Sequence, residues 1–350
     1  MKRLDRDPVL SVCIPTCNRG PWLVEQLRAA LRFAPEAMEI VVSDNASTDG
    51  TAEAVAAIDH PRLKLVRNQE NVGAFENQLR AFEAASGRYV MQLMDKDELV
   101  PQGLVRGMAE LARIDVACGE FALNGQKPTE RPTTVRRGFG ALKRHALQFT
   151  HPSGRFFSSE TLRRFGLLAR MRELDPVLRP YSTDCLVTMA LRHGGYAEID
   201  VPFVRMNLPP YVGLTASVSY RDPKSYYFTP ESLAREFAAY VNFLRDVVGL
   251  ALPSRLRLVS RLAGGTVLDQ MTSWYRWRLE SEPMCAWYGV SPDFRARELR
   301  RDLFGDGVAL LRGLRDVGWP DRLAIRLGVA GRKRRKDWHE VPRRIRGEGT

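Results

Sequence analysis

Four short apolar runs alternate with amphipathic stretches over the first hundred residues. Strands are predicted at the apolar runs, residues 10–15, 39–43, 62–66 and 89–94. Helices are predicted at the stretches between them, residues 22–33, 51–58 and 74–85. This alternation is typical of a parallel sheet with helices on both faces. The sequence therefore predicts an α/β fold that opens with a doubly wound half-domain.

The pattern changes after residue 100. Residues 125–137 are rich in Pro, Thr and Arg and predict an exposed loop, and a helix at 181–192 is followed by a strand at 196–204. Residues 207–230 predict an irregular segment. Apolar residues then recur at three- and four-residue spacing, which predicts helices at residues 231–248, 254–280 and 293–317.

The chain has 350 residues, of which 44% are hydrophobic and 27% charged. These values indicate a globular protein of about two domains and exclude a wholly disordered chain. The N-terminus lacks the apolar run of a signal peptide, and no stretch reaches the ~18 apolar residues of a transmembrane helix. The five cysteines are scattered and match no zinc-binding spacing, which favours a reducing cytoplasm.

The formal net charge of +12 points to an anionic partner. The charge is concentrated at one end, because residues 291–350 hold 16 basic and 9 acidic residues. The last twenty residues, 331–350, hold eight basic and three acidic ones. This tail fits either a solvated, disordered end or a segment attracted to anionic lipid.

Polar residues follow each of the first four predicted strands. They occupy residues 16–19, 44–50, 68–73 and 95–98. Because the carboxyl ends of parallel strands meet at one edge of a sheet, and ligands gather there, these residues form the candidate site.

Asp95 and Asp97 stand one residue apart at the end of an apolar run. Their oxygens suit Mg²⁺ or Mn²⁺, which completes its coordination with phosphates and water. A cation held there neutralises a diphosphate leaving group. The alternative is that Asp97 caps a helix predicted at residues 98–111.

Asp44 follows the second predicted strand and opens a turn rich in small polar residues. A carboxylate there can accept the imide N–H of uracil or thymine, whereas an ordinary turn capped by Asp49 is the alternative. Thr16 and Arg19 follow the neighbouring strand, and Asn71 precedes a predicted helix.

Five motifs occur in a fixed order along this region. They are Pro15-Thr16-Cys17-Asn18-Arg19, Asp44-Asn45-Ala46-Ser47-Thr48-Asp49-Gly50-Thr51, Asn71-Val72-Gly73, Gly87-Arg88-Tyr89-Val90 and Asp95-Lys96-Asp97. In combination they resemble the nucleotide-binding half of the family 2 glycosyltransferases, which are inverting enzymes of the GT-A fold. The subtype resembles bacterial abequosyl- and rhamnosyltransferases of surface-polysaccharide assembly.

The resemblance implies four regions along the chain. Residues 1–112 are the nucleotide-sugar-binding half of a GT-A domain and residues 113–230 its acceptor-binding half. Residues 231–330 form a helical C-terminal region, and residues 331–350 a basic, disordered tail.

The resemblance also implies roles for individual residues. The nucleotide-binding set is Pro15, Thr16, Asn18, Arg19, Asp44, Asn71, Asp95 and Lys96. Asp97 is the implied ligand of Mn²⁺ or Mg²⁺, and Asp184, at the start of a predicted helix, is the implied general base. Asp184 also suits the N-cap of that helix. The chain departs from the family at Thr183, where Glu is usual, and at the missing downstream histidine, for which Arg205 substitutes at the diphosphate.

The expected reaction moves a sugar from a UDP- or dTDP-linked donor to a hydroxyl of a glycan or lipid-linked glycan acceptor. A cytoplasmic enzyme, peripheral at the inner membrane face through its tail, is expected. Two alternatives are a sugar nucleotidyltransferase, which also needs carboxylates and Mg²⁺, and a nucleic-acid-binding protein, which the pI near 9.8 motivates. No nucleic-acid partner is expected for the transferase.

The histidines and one cluster of aromatic residues are the remaining candidate groups. The five histidines form no metal-binding pattern, and most of them are expected at the surface. Trp274, Tyr275 and Trp277 fit either a helical core or a platform for acceptor sugars.

Overall fold

The computed structural model describes residues 7–124, 133–149, 151–207, 230–271 and 307–333. These residues divide into two compact units. The first takes in almost all described residues up to 207, and the second takes in those from 230 onward together with the short segments 147–149 and 174–180. The expected irregular segment and aromatic cluster, together with most of the basic tail, lie outside the described residues.

The first unit is built on one mixed sheet, which has nine strands within the described residues. The strands are β1 (Leu10–Thr16), β2 (Met38–Asp44), β3 (Leu63–Arg67), β4 (Tyr89–Gln92), β5 (Glu98–Leu99), β6 (Cys118–Asn124), β7 (Thr134–Arg136), β8 (Arg155–Ser158) and β9 (Tyr196–Arg205). Their order across the sheet is β3-β2-β1-β4-β8-β6-β9-β5, and β7 also pairs with β9.

Eight α-helices accompany the sheet within the described part of the first unit. They are α1 (Gly20–Phe33), α2 (Thr51–Ala56), α3 (Gly73–Ala84), α4 (Pro101–Arg113), α5 (Gly138–His145), α6 (Ser159–Arg164), α7 (Leu167–Arg172) and α8 (Ser182–Ala190). A 3₁₀ turn, Pro176–Tyr181, precedes α8.

The first four strands confirm the predicted doubly wound half. β1 pairs in parallel with β2 and with β4, and β2 pairs in parallel with β3. Every residue of β2 is buried, which explains the apolar run Ile40-Val41-Val42 at its centre. Gly87 packs so tightly beneath β1 that an added Cβ would lie 2.7 Å from the Ser11 backbone nitrogen. This close approach explains the glycine of the Gly-Arg-Tyr-Val motif.

The second half of the sheet is mixed, because β8 runs antiparallel to both β4 and β6, while β9 is parallel to β6. Two predicted elements differ from the structure here. The expected loop at residues 125–137 contains β7, which pairs antiparallel with β9. The expected helix at 98–111 begins only at Pro101, since residues 98 and 99 form a short strand on β9.

The second unit is helical. Its described helices are α9 (Pro230–Asp246), α10 (Leu252–Leu262), a π-helical turn (Ala263–Val267), α11 (Gly307–Arg312) and α12 (Trp319–Lys333). The helices predicted near 231–248 and 254–280 are confirmed where the chain is described, whereas α12 was missed. The helix expected at 293–317 is described only from Gly307 and ends at Arg312. Among the described helices, none is long and apolar enough to cross a membrane.

Candidate active site

The predicted site residues converge on one edge of the sheet. This edge, here the strand-end rim, is formed by the residues that follow β1, β2, β4 and β9 and by those that precede β8. β8 contributes its starting end because it is antiparallel to β4. Segments 16–19, 44–51, 95–98, 151–153 and 205–207 therefore share the rim.

The loops after β1 and β2 are tied together by hydrogen bonds between the first two motifs. The Asn18 N–H donates to Ser47 Oγ (2.8 Å), and Asn18 Oδ1 accepts from the Thr48 N–H (2.9 Å). The Arg19 N–H donates to Thr51 Oγ1 (3.0 Å). Asn18 also has a φ of 56°, in the left-handed region that asparagine tolerates. Asn18 therefore builds the loop that carries the neighbouring site residues.

Asp44 lies at the end of β2 and is fully buried. Its Oδ2 accepts from the Ser47 N–H (3.2 Å) and lies 3.5 Å from Arg67 Nε. Its Oδ1 has no hydrogen-bond partner among the described residues. A buried acceptor left unpaired is costly, so this oxygen is a candidate acceptor for a ligand N–H.

An asparagine cluster supports this side of the rim. Asn68 Nδ2 donates to Asn45 Oδ1 (3.1 Å) and to Asn77 Oδ1 (2.9 Å). Asn45 Nδ2 donates to Asn71 Oδ1 (2.8 Å), which also accepts from the Gly73 N–H (2.9 Å). The carbonyl of Asn71 is thus engaged within the protein. The candidate segments of the sequence include Asn45, Asn68 and Asn71, whereas Asn77, which lies within α3, was missed.

Asp95 connects the loops after β4 and β1. Thr16 Oγ1 donates to Asp95 Oδ2 (3.0 Å), and Arg19 Nε lies 3.6 Å from the same oxygen. Burial raises the pKa of Asp95, and Arg19 and Thr16 oppose that shift. The structure thus brings together three predicted nucleotide-binding residues, which lie beside the Asp44 loop. Pro15 lies within β1, opposite Ser43 of β2.

Asp97 is held by groups that the sequence analysis did not identify. Its Oδ2 accepts from Ser153 Oγ (2.5 Å) and contacts His151 Nε2, and its Oδ1 accepts from the Asn207 N–H (3.1 Å). Asp97 does not cap α4, whose N-cap is Val100. The sequence assigned no site role to His151, yet it lies against the second carboxylate of the Asp-x-Asp motif.

Lys96 and Arg205 are engaged with neighbours on the same side of the rim. Lys96 Nζ donates to the Asn207 carbonyl (3.2 Å), and Arg205 Nη1 pairs with Glu98 Oε2 (3.1 Å). The Arg205 side chain is 51% exposed, so its guanidinium is accessible to a ligand.

The Asp-x-Asp residues fit a divalent cation that is completed by a ligand. Asp97 Oδ1 accepts the Asn207 backbone N–H, and a carboxylate oxygen has capacity for more than one contact. Within the described residues, neither Asp95 nor Asp97 belongs to a group of three His, Cys, Asp or Glu ligand atoms within 4.8 Å of one another. A cation held here therefore needs oxygens from outside the protein, which diphosphate and water supply.

Asp184 lies in the first turn of α8 and is buried away from bulk water. Its Oδ1 accepts from Arg155 Nη1 (2.7 Å), and the two side chains are 3% and 2% exposed. Burial opposes the charge on Arg155, but Asp184 raises the pKa of the guanidinium. Asp184 is not the N-cap of α8, because that position is Tyr181. The sequence missed Arg155, which begins β8 directly after the His151 and Ser153 segment.

Arg155 and Asp184 belong to a group of charged residues between the sheet and helices α5 and α8, here the buried charge layer. It also contains His145, which is buried, and Glu120 and Glu198, which are half-buried. Glu120 of β6 is in register with both Arg155 of β8 and Glu198 of β9. One ligand atom each from Glu120, His145 and Glu198 lies within 4.8 Å of the others.

Glu198 of this layer already has cationic partners. It pairs with Arg136 Nε (3.3 Å) and Arg144 Nη2 (3.0 Å). Two arginines thus supply the positive charge that a metal would bring.

Residues 11–171 match the model of the glycosyl transferase family 2. The succinoglycan biosynthesis protein ExoO of Rhizobium meliloti is 30% identical over 121 residues, which cover 35% of this chain and 34% of that protein. A Campylobacter jejuni GalNAc(5)-diNAcBac-PP-undecaprenol beta-1,3-glucosyltransferase is 35% identical over 100 residues, which cover 28% of this chain and 32% of that protein. This chain spans about a third of the length of these curated relatives.

Solved structures agree on the fold. S. aureus TarS residues 1–349, solved with UDP-GlcNAc, align with a TM-score of 0.55 and 14% identity, over 97% of this chain and 91% of that one. The match spans the sheet as well as the helical part of the chain, so the fold is GT-A-like with a helical C-terminal region. The chain therefore carries a family 2 glycosyltransferase domain over residues 11–171.

Proposed function

We propose that this protein transfers a sugar from a UDP- or dTDP-linked donor to a hydroxyl of a glycan or lipid-linked glycan acceptor. The observation that carries the proposal is the buried Asp44 Oδ1, which has no partner among the described residues. Uracil and thymine present an imide N–H that this oxygen can accept. Cytosine presents an acceptor at the same ring position, so it would leave Asp44 unpaired.

The rest of the donor fits the neighbouring side chains. Thr16, Arg19 and Asp95 are linked to one another beside the Asp44 loop and would hold the ribose. Arg205, with its exposed guanidinium, and Lys96 would contact the diphosphate. Asp97, with Asp95, would hold Mn²⁺ or Mg²⁺, whose charge neutralises the departing diphosphate.

The chemical step is a single displacement at the anomeric carbon. The acceptor oxygen forms a bond to that carbon as the bond to the diphosphate oxygen breaks, so the configuration inverts. Asp184 takes the proton of the acceptor hydroxyl, and the nucleoside diphosphate leaves with the bonding electron pair. Arg155 holds the Asp184 carboxylate in one orientation through the 2.7 Å contact.

The relatives support a place in bacterial surface-polysaccharide synthesis. One takes part in succinoglycan biosynthesis and another is a glucosyltransferase whose name specifies an undecaprenol-linked glycan. The same fold holds UDP-GlcNAc in TarS. We further propose a cytoplasmic enzyme at the inner membrane face, with the eight basic residues of 331–350 attracted to anionic lipid.

A panel of nucleotide sugars tests the proposal. The full-length protein is incubated with UDP-, dTDP-, GDP- and CMP-sugars and a glycan acceptor, with and without Mn²⁺, and the released nucleotide is measured. We expect UDP or dTDP to be released only with the cation. Equal use of CMP-sugars would contradict the Asp44 assignment.

The products separate the alternatives. Free sugar 1-phosphate would indicate a nucleotidyltransferase. Nucleic-acid binding that weakens steeply with salt, without sugar transfer, would indicate the non-enzymatic alternative.

A further inference from the structure

Helix α12 presents apolar side chains to solvent on one face. Trp319, Leu323 and Leu327 are 70%, 49% and 62% exposed. They are spaced four residues apart, so they form one stripe along the helix. This apolar stripe stands out because large exposed apolar side chains in a row mark an interaction surface.

The opposite face of α12 is already packed within the second unit. Ile325 and Val329 are fully buried, and a Cβ added at Gly328 would lie 2.0 Å from the Ser260 carbonyl of α10. Asp321 pairs with Arg255 Nε of α10 (3.0 Å). The helix therefore has a core face of its own, and the apolar stripe is a second face.

Positive charge surrounds the apolar stripe. Arg322 and Arg326 lie on α12 beside it, and basic residues continue the chain at positions 332–336. The single acidic residue between positions 319 and 336 is Asp321, which Arg255 neutralises. Apolar and aromatic side chains flanked by Arg and Lys are typical of a helix that lies in the interface of an anionic bilayer.

We propose that α12 lies on an anionic lipid surface, with Trp319, Leu323 and Leu327 inserted at the headgroup level and Arg322 and Arg326 on the phosphates. This contact adds an apolar component to the attraction proposed for the basic tail, and it is independent of sugar transfer. The apolar component is not screened by salt, whereas the attraction of the tail weakens as salt rises.

The test is co-sedimentation of the full-length protein with vesicles of phosphatidylcholine alone or with 30% phosphatidylglycerol. We expect binding to the anionic vesicles. The triple variant Trp319→Ser, Leu323→Ser, Leu327→Ser should bind at least about tenfold more weakly. Val105→Ser, which removes an equally exposed apolar side chain from α4, is the matched control and should bind like the wild type.

A second variant separates the apolar stripe from the tail. Replacing Arg334, Arg335 and Lys336 by Gln should weaken binding at 0.1 M salt and leave the binding that remains at 0.5 M salt unchanged. Transfer to a short soluble acceptor should be normal in both variants, so a failure of this proposal is distinct from a failure of the proposed function.

Three results would overturn the proposal. The first is wild-type vesicle binding by the triple serine variant. The second is a large fall in its melting temperature, which would show that another part of the chain covers the apolar stripe. The third is self-association of the wild type in light scattering that the triple variant abolishes, which would assign the stripe to a second copy of the chain. Quenching of tryptophan fluorescence by brominated lipid that is weaker in Trp319→Phe than in the wild type gives independent support.

Discussion

The strand-end rim and the buried charge layer both bury ionisable groups, but they treat them differently. At the rim, Asp44 is fully buried and one of its oxygens has no partner among the described residues. In the layer, Arg155 pairs with Asp184, and two arginines pair with Glu198. Asp184 and Glu198 of the layer pair with arginines, whereas Asp44 at the rim keeps one oxygen without a hydrogen bond although Arg67 lies 3.5 Å from the other.

This difference separates groups that bind from groups that hold the fold together. An unpaired buried carboxylate oxygen costs stability unless a ligand satisfies it, so its presence indicates a binding site. In a buried ion pair, removal of one charge strongly destabilises the fold, because the other charge is left without a partner. Asp184 has features of both regions. It pairs with Arg155 in the layer, and it is also the proposed general base of the active site.

Asp184→Asn should have the largest effect, because it removes both the proposed base and the charge that faces Arg155. We expect transfer to fall by about 10²- to 10⁴-fold. We also expect the free energy of unfolding to fall by about 3–5 kcal/mol, because a buried arginine loses its counter-charge. Steady-state kinetics and urea denaturation measure the two effects.

A double variant separates the two roles of Asp184. Arg155→Met combined with Asp184→Asn removes the unpaired charge and should recover part of the lost stability without recovering transfer. Recovered transfer in the double variant would show that Asp184 is structural only. The base would then have to be another carboxylate.

Asp97→Asn tests the rim at its proposed cation site. The variant keeps the volume of the side chain and loses the negative charge, so we expect transfer to fall by about 10³-fold, since cation stabilisation is worth several kcal/mol. The Mn²⁺ concentration needed for half-maximal rate should rise. Asp115→Asn, at a carboxylate that is 97% exposed, is the control and should behave as the wild type. Unchanged metal dependence in Asp97→Asn would remove Asp97 from the cation site.

The sequence was most informative for the parallel strands, because the polar site residues come directly after each apolar run. Asp44 and Asp95 could be placed together because each follows an apolar run, and the carboxyl ends of β2, β1 and β4 meet by the rules of parallel sheets. The first four strands were predicted to within two residues at each end for the same reason.

His151 and Ser153 could not be placed in this way. They precede their strand, and they reach the rim only because β8 is antiparallel to β4. Strand direction is not visible in a local apolar pattern, so a sequence that reads His-Pro-Ser-Gly before a strand gives no sign of which edge it occupies. Arg155 was missed because a charged residue in a short strand predicts exposure. Its partner, Asp184, lies on α8, and the local sequence of the strand does not reveal that contact.

Asp44→Ala tests the proposed contact between the rim and the base of the donor. The contact to the base is the same in the ground and transition states, so the KM for the donor should rise with little change in kcat. A hydrogen bond to a charged group is worth about 1.5–3 kcal/mol, which corresponds to a rise of about 10- to 100-fold. Glu53→Gln is the matched control, because Glu53 also pairs with Arg67 (2.7 Å) but lies exposed on α2. A lower kcat at unchanged KM would contradict the assignment.

His145 should give the smallest effect, and it tests the layer. Its imidazole is buried and stacks on Tyr196 at 3.7 Å, and burial lowers the pKa of His145 to about 4 from the ordinary 6.5. Glu198 opposes that shift, whereas Arg144, Arg136 and Arg155 add to it.

Because the folded state takes up this proton less readily than the unfolded state, the stability contributed by neutral His145 is present above pH 6.5. It is lost progressively as the pH falls from 6.5 towards 4. Between pH 7 and pH 5 the loss should reach at most about 2 kcal/mol. Urea denaturation of the wild type and of His145→Phe, which keeps the stack on Tyr196, measures it, and the pH dependence should be flatter in the variant. An equally steep dependence in His145→Phe would show that a group other than His145 titrates in this pH range.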